Sequence, residues 1–480
     1  MLKRIPLVFS LFIAGALQAQ AQEQDSLWTL QRSVEYAVRN NLDIKQSVLN
    51  ERLAKLQLQQ SQLAQLPSAS ASGNYGRNFG RSIDPTSNQF IRSGYNFMGL
   101  NGNVDVLLFG WFQKRHTIER NRSLMSAATA DLDQLKDDVS LNVATAFLRV
   151  LLAREQIGIA RSQLGFSVKQ MEQTKAFVSV GRSPELDLAQ MESQVATDSS
   201  NYYSAQATYF QSLLDMKALM NFEIADPFVP LAPNVDVVPV TEVIGMKPEQ
   251  IYTVAKDHFG SIKSGQYKYA AAKKAVDVSR AGLLPQISLG GQFGTNYASS
   301  YTEPTGVTVT GSVKNGDFVN INNNIYWIEQ PTLKTDLRTI PFGTQIWDNF
   351  RQTVALSANI PLFNGWSTRT QIAQNRIDMA SKGLNLEQTK LKLKQDVYKA
   401  YYDAMVAVQK YYAATSAAEA SDRAFHFAEK RYELGLMNAL ELLTTQNNGY
   451  KAKSDALSAK YDLIFKLKVI DYYLGKELKL

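Results

Sequence analysis

The chain of 480 residues has no cysteine and only three histidines. Disulfides, thiolate metal sites, a cysteine nucleophile and a lipid-carrying N-terminal cysteine are thereby excluded. His116, His258 and His426 lie far apart and none belongs to an H-E-x-x-H pattern. A P-loop and a G-x-S-x-G elbow are also lacking. Gly290, Gly291 and Gly294 cluster inside an alternating strand pattern rather than ahead of a helix, which argues against a phosphate cradle. No catalytic residue, cofactor or metal site is expected. Charge of one sign is scarce: the formal +7 falls to +5 once Lys3 and Arg4 are removed, and no basic block suits nucleic acid. Long apolar runs are scarce as well. The stretch Ile5–Leu17 follows Lys3 and Arg4 and precedes Ala19 and Ala21, the three parts of a signal peptide over residues 1–21. It is shorter than the ~20 residues of a spanning helix. Without such a helix, a membrane can be crossed only by a closed β-barrel, because lipid leaves unpaired backbone groups unsatisfied.

What the sequence does contain is one unit written twice. Ala64–Ser70 (AQLPSAS) recurs as Gly282–Ser288 (GLLPQIS), and Val106–Trp111 (VLLFGW) as Ile360–Trp366 (IPLFNGW). Gly181–Leu188 (GRSPELDL) matches Gly435–Leu442 (GLMNALEL), and both Phe109 to Phe363 and Gly181 to Gly435 span 254 residues. The expected organisation is a first repeat over 22–223 and a second over 249–480, joined by a proline-rich linker at 224–248. Each repeat reads as a helix, two strands and a long helical hairpin. The strands fall at about 66–80 and 95–110, then at about 285–300 and 350–365, and the hairpin tips near 181 and 435.

The hairpins are very long. Proline is absent from Phe112 to Val178, and Leu132, Leu135, Val139, Val143, Ala146, Val150, Ala153, Ile157, Ala160 and Leu164 follow in steps of three and four. That is a heptad seam. Leu393, Val397, Ala400, Ala404, Ala407, Tyr411, Ala414 and Ala418 repeat it. Some 65 residues make a rod of roughly 100 Å. Ahead of the strands, single helices are expected over about Thr29–Gln65 and Glu249–Leu283. The acids Asp131, Asp133, Asp137 and Asp138 suggest a cation site or, on a helix, a solvated face, and the helical setting favours the latter.

The strands alternate as a membrane barrel requires. Val354, Leu356, Ala358 and Ile360 interleave with Thr353, Ala355, Ser357 and Asn359, and Ile287, Leu289 and Phe293 with Gln286, Ser288 and Gln292. Val104, Val106 and Leu108 alternate with Asn103 and Asp105, and Ala69, Ala71 and Tyr75 with Ser68, Ser70 and Asn74. Aromatic residues gather at the ends, with Phe109, Trp111, Phe363 and Trp366 at one and Tyr297 and Tyr301 at the other. Four strands cannot close a barrel, so copies must share one. Two and three chains both give an even count. An eight-stranded barrel is filled by its own side chains, so polar inner faces lining a pore favour twelve strands from three chains. Tyr301–Trp347, with Asn322, Asn323 and Asn324, reads as a loop on the far side of the membrane from the helices.

Taken together, these features resemble the TolC-like family of outer-membrane efflux proteins over essentially the whole mature chain. The most specific piece is Arg431–Leu443, RYELGLMNALELL, similar to that family's periplasmic-tip motif and echoed at Gly181 and Asp187. Gly181 and Gly435 sit where one helix reverses into the next, and glycine supplies the φ > 0 that ends a helix. Asp187 and Glu441 follow near a helix start, where the dipole favours a carboxylate, so a capping role stays open. The resemblance implies more: Tyr432, Glu441 and Asp187 become gate candidates beside Gly181 and Gly435. The chain departs from the best-known pattern at Met437 and Thr444, which puts a salt-bridged lock in doubt.

The fold class implied is an α+β membrane protein. Each protomer gives four strands to a shared 12-stranded β-barrel and long antiparallel coiled-coil helices to a periplasmic α-barrel. The function implied is a passive trimeric export duct of a tripartite efflux or type I secretion system, gated at its periplasmic tip. Its partners are two further copies, a periplasmic adaptor, an inner-membrane pump of RND or ABC type, and outer-membrane lipid. The alternative is a secreted coiled-coil stalk or adhesin without a pore, which leaves the paired strands and the duplication unexplained.

Overall fold

The computed structural model describes residues 27–83, 90–91, 94–231 and 245–476. The signal-peptide reading at 1–21 and the central part of the 224–248 linker lie outside them. In chain order, β1 (Leu27–Trp28) precedes α1 (Leu30–Asn40) and α2 (Leu42–Leu63). Strands β2 (Ser68–Asn78), β3 (Ser82–Ile83), β4 (Phe90–Ile91) and β5 (Tyr95–Phe109) lead to α3 (Gln113–Ser179) and its return α4 (Glu185–Met220). After β6 (Val229–Pro230) come α5 (Pro248–His258), α6 (Gly260–Ala281), β7 (Gln286–Ala298), β8 (Thr302–Ile321) and β9 (Asn324–Thr339). The chain closes with α7 (Phe342–Asp348), β10 (Arg351–Asn359), α8 (Ser367–Glu433) and α9 (Ala439–Tyr473). Both long helices, α3 and α8, contain 67 residues.

The chain divides into two units. The strand unit lies within Gln59–Glu119 and Lys274–Asn375, and the helical unit within Met1–Leu58, Arg120–Lys273 and Arg376–Leu480. In the strand unit one antiparallel sheet has the order β10-β7-β5-β2. Its register puts Ala71, Gly102 and Phe293 in one row and Val106, Leu289 and Leu356 in another, all on the apolar face. Ser70, Asn103, Gln292 and Thr353 share a row of the opposite, polar face. The alternation breaks at one place. A bulge between Leu107 and Phe109 leaves Leu108 as the extra residue, so Phe109, paired with Ile287, continues the apolar row that the bare pattern gave to Leu108. The expected loop after β7 is instead a β8–β9 ribbon followed by α7. Asn322 (φ 51°) and Asn323 (φ 65°) form its two-residue turn, the conformation of a type I′ hairpin. Gln345 of α7 is fully buried and bonds the backbone of Ala298 and Ile340, tying α7 to the end of β7. Among the described residues no helix is long and apolar enough to cross a membrane.

In the helical unit the seams do bury. Leu132, Val139, Val143, Val150, Ala153 and Ala160 on α3 are at most 7 % exposed, as are Leu393, Val397, Ala404 and Ala407 on α8. Phe147, Leu151, Met216 and Met220 fill the space between α3 and α4. Each such side chain contributes roughly 1.5–3 kcal/mol, and the many together fix the register of helices too long to be held by their ends. The single helix expected over Thr29–Gln65 is two. Asn41 leaves helical geometry (ψ 132°), its carboxamide oxygen accepts from the amides of Asp43 and Ile44, and its Nδ2 donates to Leu219 O. One side chain thus starts α2 and docks it on α4. The second expected helix breaks likewise at Phe259 (ψ 125°). There the next residue, Gly260, lies so close to α3 that a Cβ would meet Ala130 O at 2.5 Å.

Candidate functional site at the hairpin tips

Both hairpins reverse through the same device. Gly181 (φ 72°) donates to Val178 O and Arg182 to Phe177 O, and Gly435 (φ 74°) donates to Tyr432 O and Leu436 to Arg431 O. Each is a Schellman closure in which glycine occupies the left-handed position. The two tips adjoin: a Cβ on Gly435 would stand 4.0 Å from Arg182 Nη2, and the Arg182 guanidinium lies 4.6 Å over the Phe177 ring.

The return helices begin differently. Asn438 caps α9 by accepting from Glu441 N at 2.8 Å, while its Nδ2 donates to Glu441 Oε1 at 3.2 Å, a reciprocal capping arrangement. The α4 start has Pro184 at the cap and no side-chain cap bond, with Asp187 in the first turn donating only its backbone amide to Pro184 O. Glu441 is therefore exposed yet anchored. Asp187 is half-buried.

Tyr432 is the buried member, 4 % exposed and 2.8 Å from Thr174 Oγ1 on the first hairpin. The Thr174 hydroxyl proton goes to Gln170 O at 2.9 Å, so the phenol is the donor of the Tyr432–Thr174 bond. Burial pushes the phenol pKa up, and the nearby Asp187 charge adds to it, which keeps the proton on the oxygen. Around it Met191, Ala428, Ala439, Leu442 and Leu443 form a small core that Phe177 and Met437 flank. Met437, the departure from the tip motif, is thus a packing residue. Thr444 bonds its own helix at Leu440 O.

A buried polar layer escaped the sequence reading. Asp198 on α4 is 2 % exposed and accepts from Ser167 at 2.5 Å and Gln194 at 3.0 Å, and Ser167 in turn accepts from Gln446 of α9 at 2.8 Å. Ser167, Gln170 and Thr174 recur at three- and four-residue steps, but polar residues at that spacing read as a solvated face. Their partners lie up to 279 residues away. Beside this layer is a 620 Å³ groove lined by Glu155, Phe166, Asp422, Phe425, Tyr450 and Lys453. The acids near residue 131 scatter instead of converging. Asp131 pairs with Lys268, Asp133 with Lys136, and Asp138 with Tyr472.

Comparison with known proteins agrees with this architecture. A family model described as outer membrane efflux protein matches residues 34–221 and 255–475. The outer membrane efflux protein BepC of Brucella suis is 20% identical over 75% of this chain and 68% of its own length. Toxin and drug export protein A of Aggregatibacter actinomycetemcomitans is 21% identical over 91% of this chain and 83% of its own. Among solved structures, the VceC outer membrane protein of Vibrio cholerae superposes with a TM-score of 0.74 at 12% identity, covering 94% of this chain and 97% of that one. The CmeC outer membrane channel of Campylobacter jejuni gives 0.73 at 16% identity, over 93% and 85%.

Proposed function

This chain belongs to the outer membrane efflux protein family, and we propose that its paired hairpin tips are the gate of a passive trimeric export duct. It is an outer-membrane efflux channel with its helical unit in the periplasm. The observation that carries the gate reading is the Tyr432–Thr174 bond, which crosses from the second hairpin to the first between two buried side chains. A neutral hydrogen bond of this kind contributes about 1 kcal/mol net, enough to bias a closed tip without locking it. In a threefold assembly the exposed Glu441 side chains face one another at the narrow end, where like charges repel. The ring draws cations in and opposes closure, and the Tyr432 bond opposes opening. Gly181 and Gly435 supply the turns, and Asp187 stands behind the phenol.

Two structural repeats, over 22–223 and 249–480, belong to the same proposal. Equal helix lengths and matched glycine closures support them. Val180, Leu186, Leu434, Leu436 and Leu440 form an exposed apolar fringe at the tip, each at least 61 % exposed. That fringe suits a periplasmic adaptor, which links the duct to an inner-membrane pump of RND or ABC type. The duct carries out no catalytic step, and the pump and adaptor select the cargo. Single-channel recording tests the gate: Tyr432→Phe should raise conductance in a channel that still assembles, and an unchanged conductance would remove the bond from the gate.

A further inference from the structure

The β8–β9 ribbon is the least supported part of the described chain. Its strands pair only with each other, and apart from Glu303 every residue in them is exposed. With 20 and 16 residues they reach roughly 50–65 Å, and a lone two-stranded ribbon is marginal in water. Near the base the two faces differ in kind, while further out Val313, Val319, Tyr326 and Ile328 place apolar side chains on the second face as well. Register and alternation put Val307, Val309, Leu333 and Leu337 on one face, all 59–63 % exposed, with the Phe318–Trp327 ring pair further out. The other face near the base carries Lys334, the Thr308–Asp336 bond and the Arg338–Glu303 ion pair. An amphipathic base of this kind needs something on its apolar side.

Two observations name the occupant as another copy of the ribbon. The base closes through Ile340 N to Tyr301 O at 2.9 Å and leads through the single short helix α7 into β10, the open edge strand where the next copy must pair. The ribbon therefore rises beside the seam between protomers. Second, Lys314 and Glu329 sit directly opposite each other within the apolar face. A face with one charge of each sign complements itself around a closed ring, lysine of one copy against glutamate of the next. We propose that the three ribbons of a trimer pack through this apolar face into an extracellular cap that narrows the outer mouth of the duct. The cap rests on the trimeric-channel reading.

Because the chain has no cysteine, a single one can be placed at will. Val309→Cys on the apolar face and Lys334→Cys on the polar face, each labelled with pyrene maleimide, are compared in particles verified as trimers in mild detergent. The cap predicts an excimer-to-monomer emission ratio several-fold higher for position 309 than for 334. Replacing Thr302–Thr339 by a two-glycine link should also raise single-channel conductance. Intact trimers with no excimer at either position, or with equal excimer at both, overturn the cap and leave the channel reading standing. Pyrene at 309 shielded only after outer-membrane extract is added would hand that face to a different protein and overturn it as well. Particles that prove monomeric remove the trimer and the cap together.

Discussion

At the residue scale, the tip acids and the phenol are separable by experiment. Glu441→Gln keeps the reciprocal bonds with Asn438, since a carboxamide both accepts and donates, so assembly should hold while cation selectivity in single-channel recordings falls. Selectivity unchanged in an assembled channel would reduce Glu441 to a capping acid and turn attention to Asp187. Tyr432→Phe removes one hydrogen bond, whereas Thr174→Val leaves a buried phenol unpaired at about 1–3 kcal/mol. Both should raise conductance, and the double variant should add little to the larger single effect because the two side chains share one bond. A fully additive double variant would mean that they act separately. The turns at Gly181 and Gly435 were visible in the sequence because a glycine between two long heptad runs has few other uses, whereas Tyr432 was named only through the family resemblance. Thr174, Ser167, Asp198 and Gln446 were not. Their pairing depends on which helix meets which, and short polar side chains at heptad spacing look the same whether they face water or one another.

Between elements, the breaks matter more than the runs. Asn41 and Gly260 each split a stretch that periodicity alone joins, the first by capping and docking, the second by close approach to α3. Asn41→Ala should cost about 1 kcal/mol, read as a lower unfolding midpoint in the purified protein. Gly260→Val should lower it further, because the nearest atom is a backbone carbonyl that cannot move aside. Equal midpoints for wild type and Gly260→Val would show that α3 and α6 do not meet as described. The heptads were legible because each seam repeats over many turns. The β8–β9 ribbon was hidden because bulges near Pro304, Val309 and Lys314 shift the alternation out of phase, and three consecutive asparagines suggested irregular chain where Asn322 and Asn323 in fact make a tight turn. With the helices in the periplasm, that turn should lie outside the cell. A protease site inserted after Asn323 should be cut in intact cells, and cutting only after the outer membrane is opened would reverse the topology.

For the whole molecule, the decisive feature is a sheet with two open edges. β2 and β10 end the order β10-β7-β5-β2, and strict antiparallel alternation across the four means that β2 of one copy meets β10 of the next in the antiparallel sense. Lipid cannot satisfy those edges, so the backbone requires partner strands on both, and the matching antiparallel sense lets identical copies supply them. The sheet's two-faced pattern and the need for partners were legible in residues such as Leu356 and Ser357. The copy number rests on pore size, because eight strands fill their own interior and twelve leave room for cargo. Native mass spectrometry of the particle released in mild detergent tests this most directly. Three chains per particle, stable until the detergent denatures the sheet, is the result predicted. A monodisperse monomer under the same conditions would contradict the shared barrel and the channel built on it.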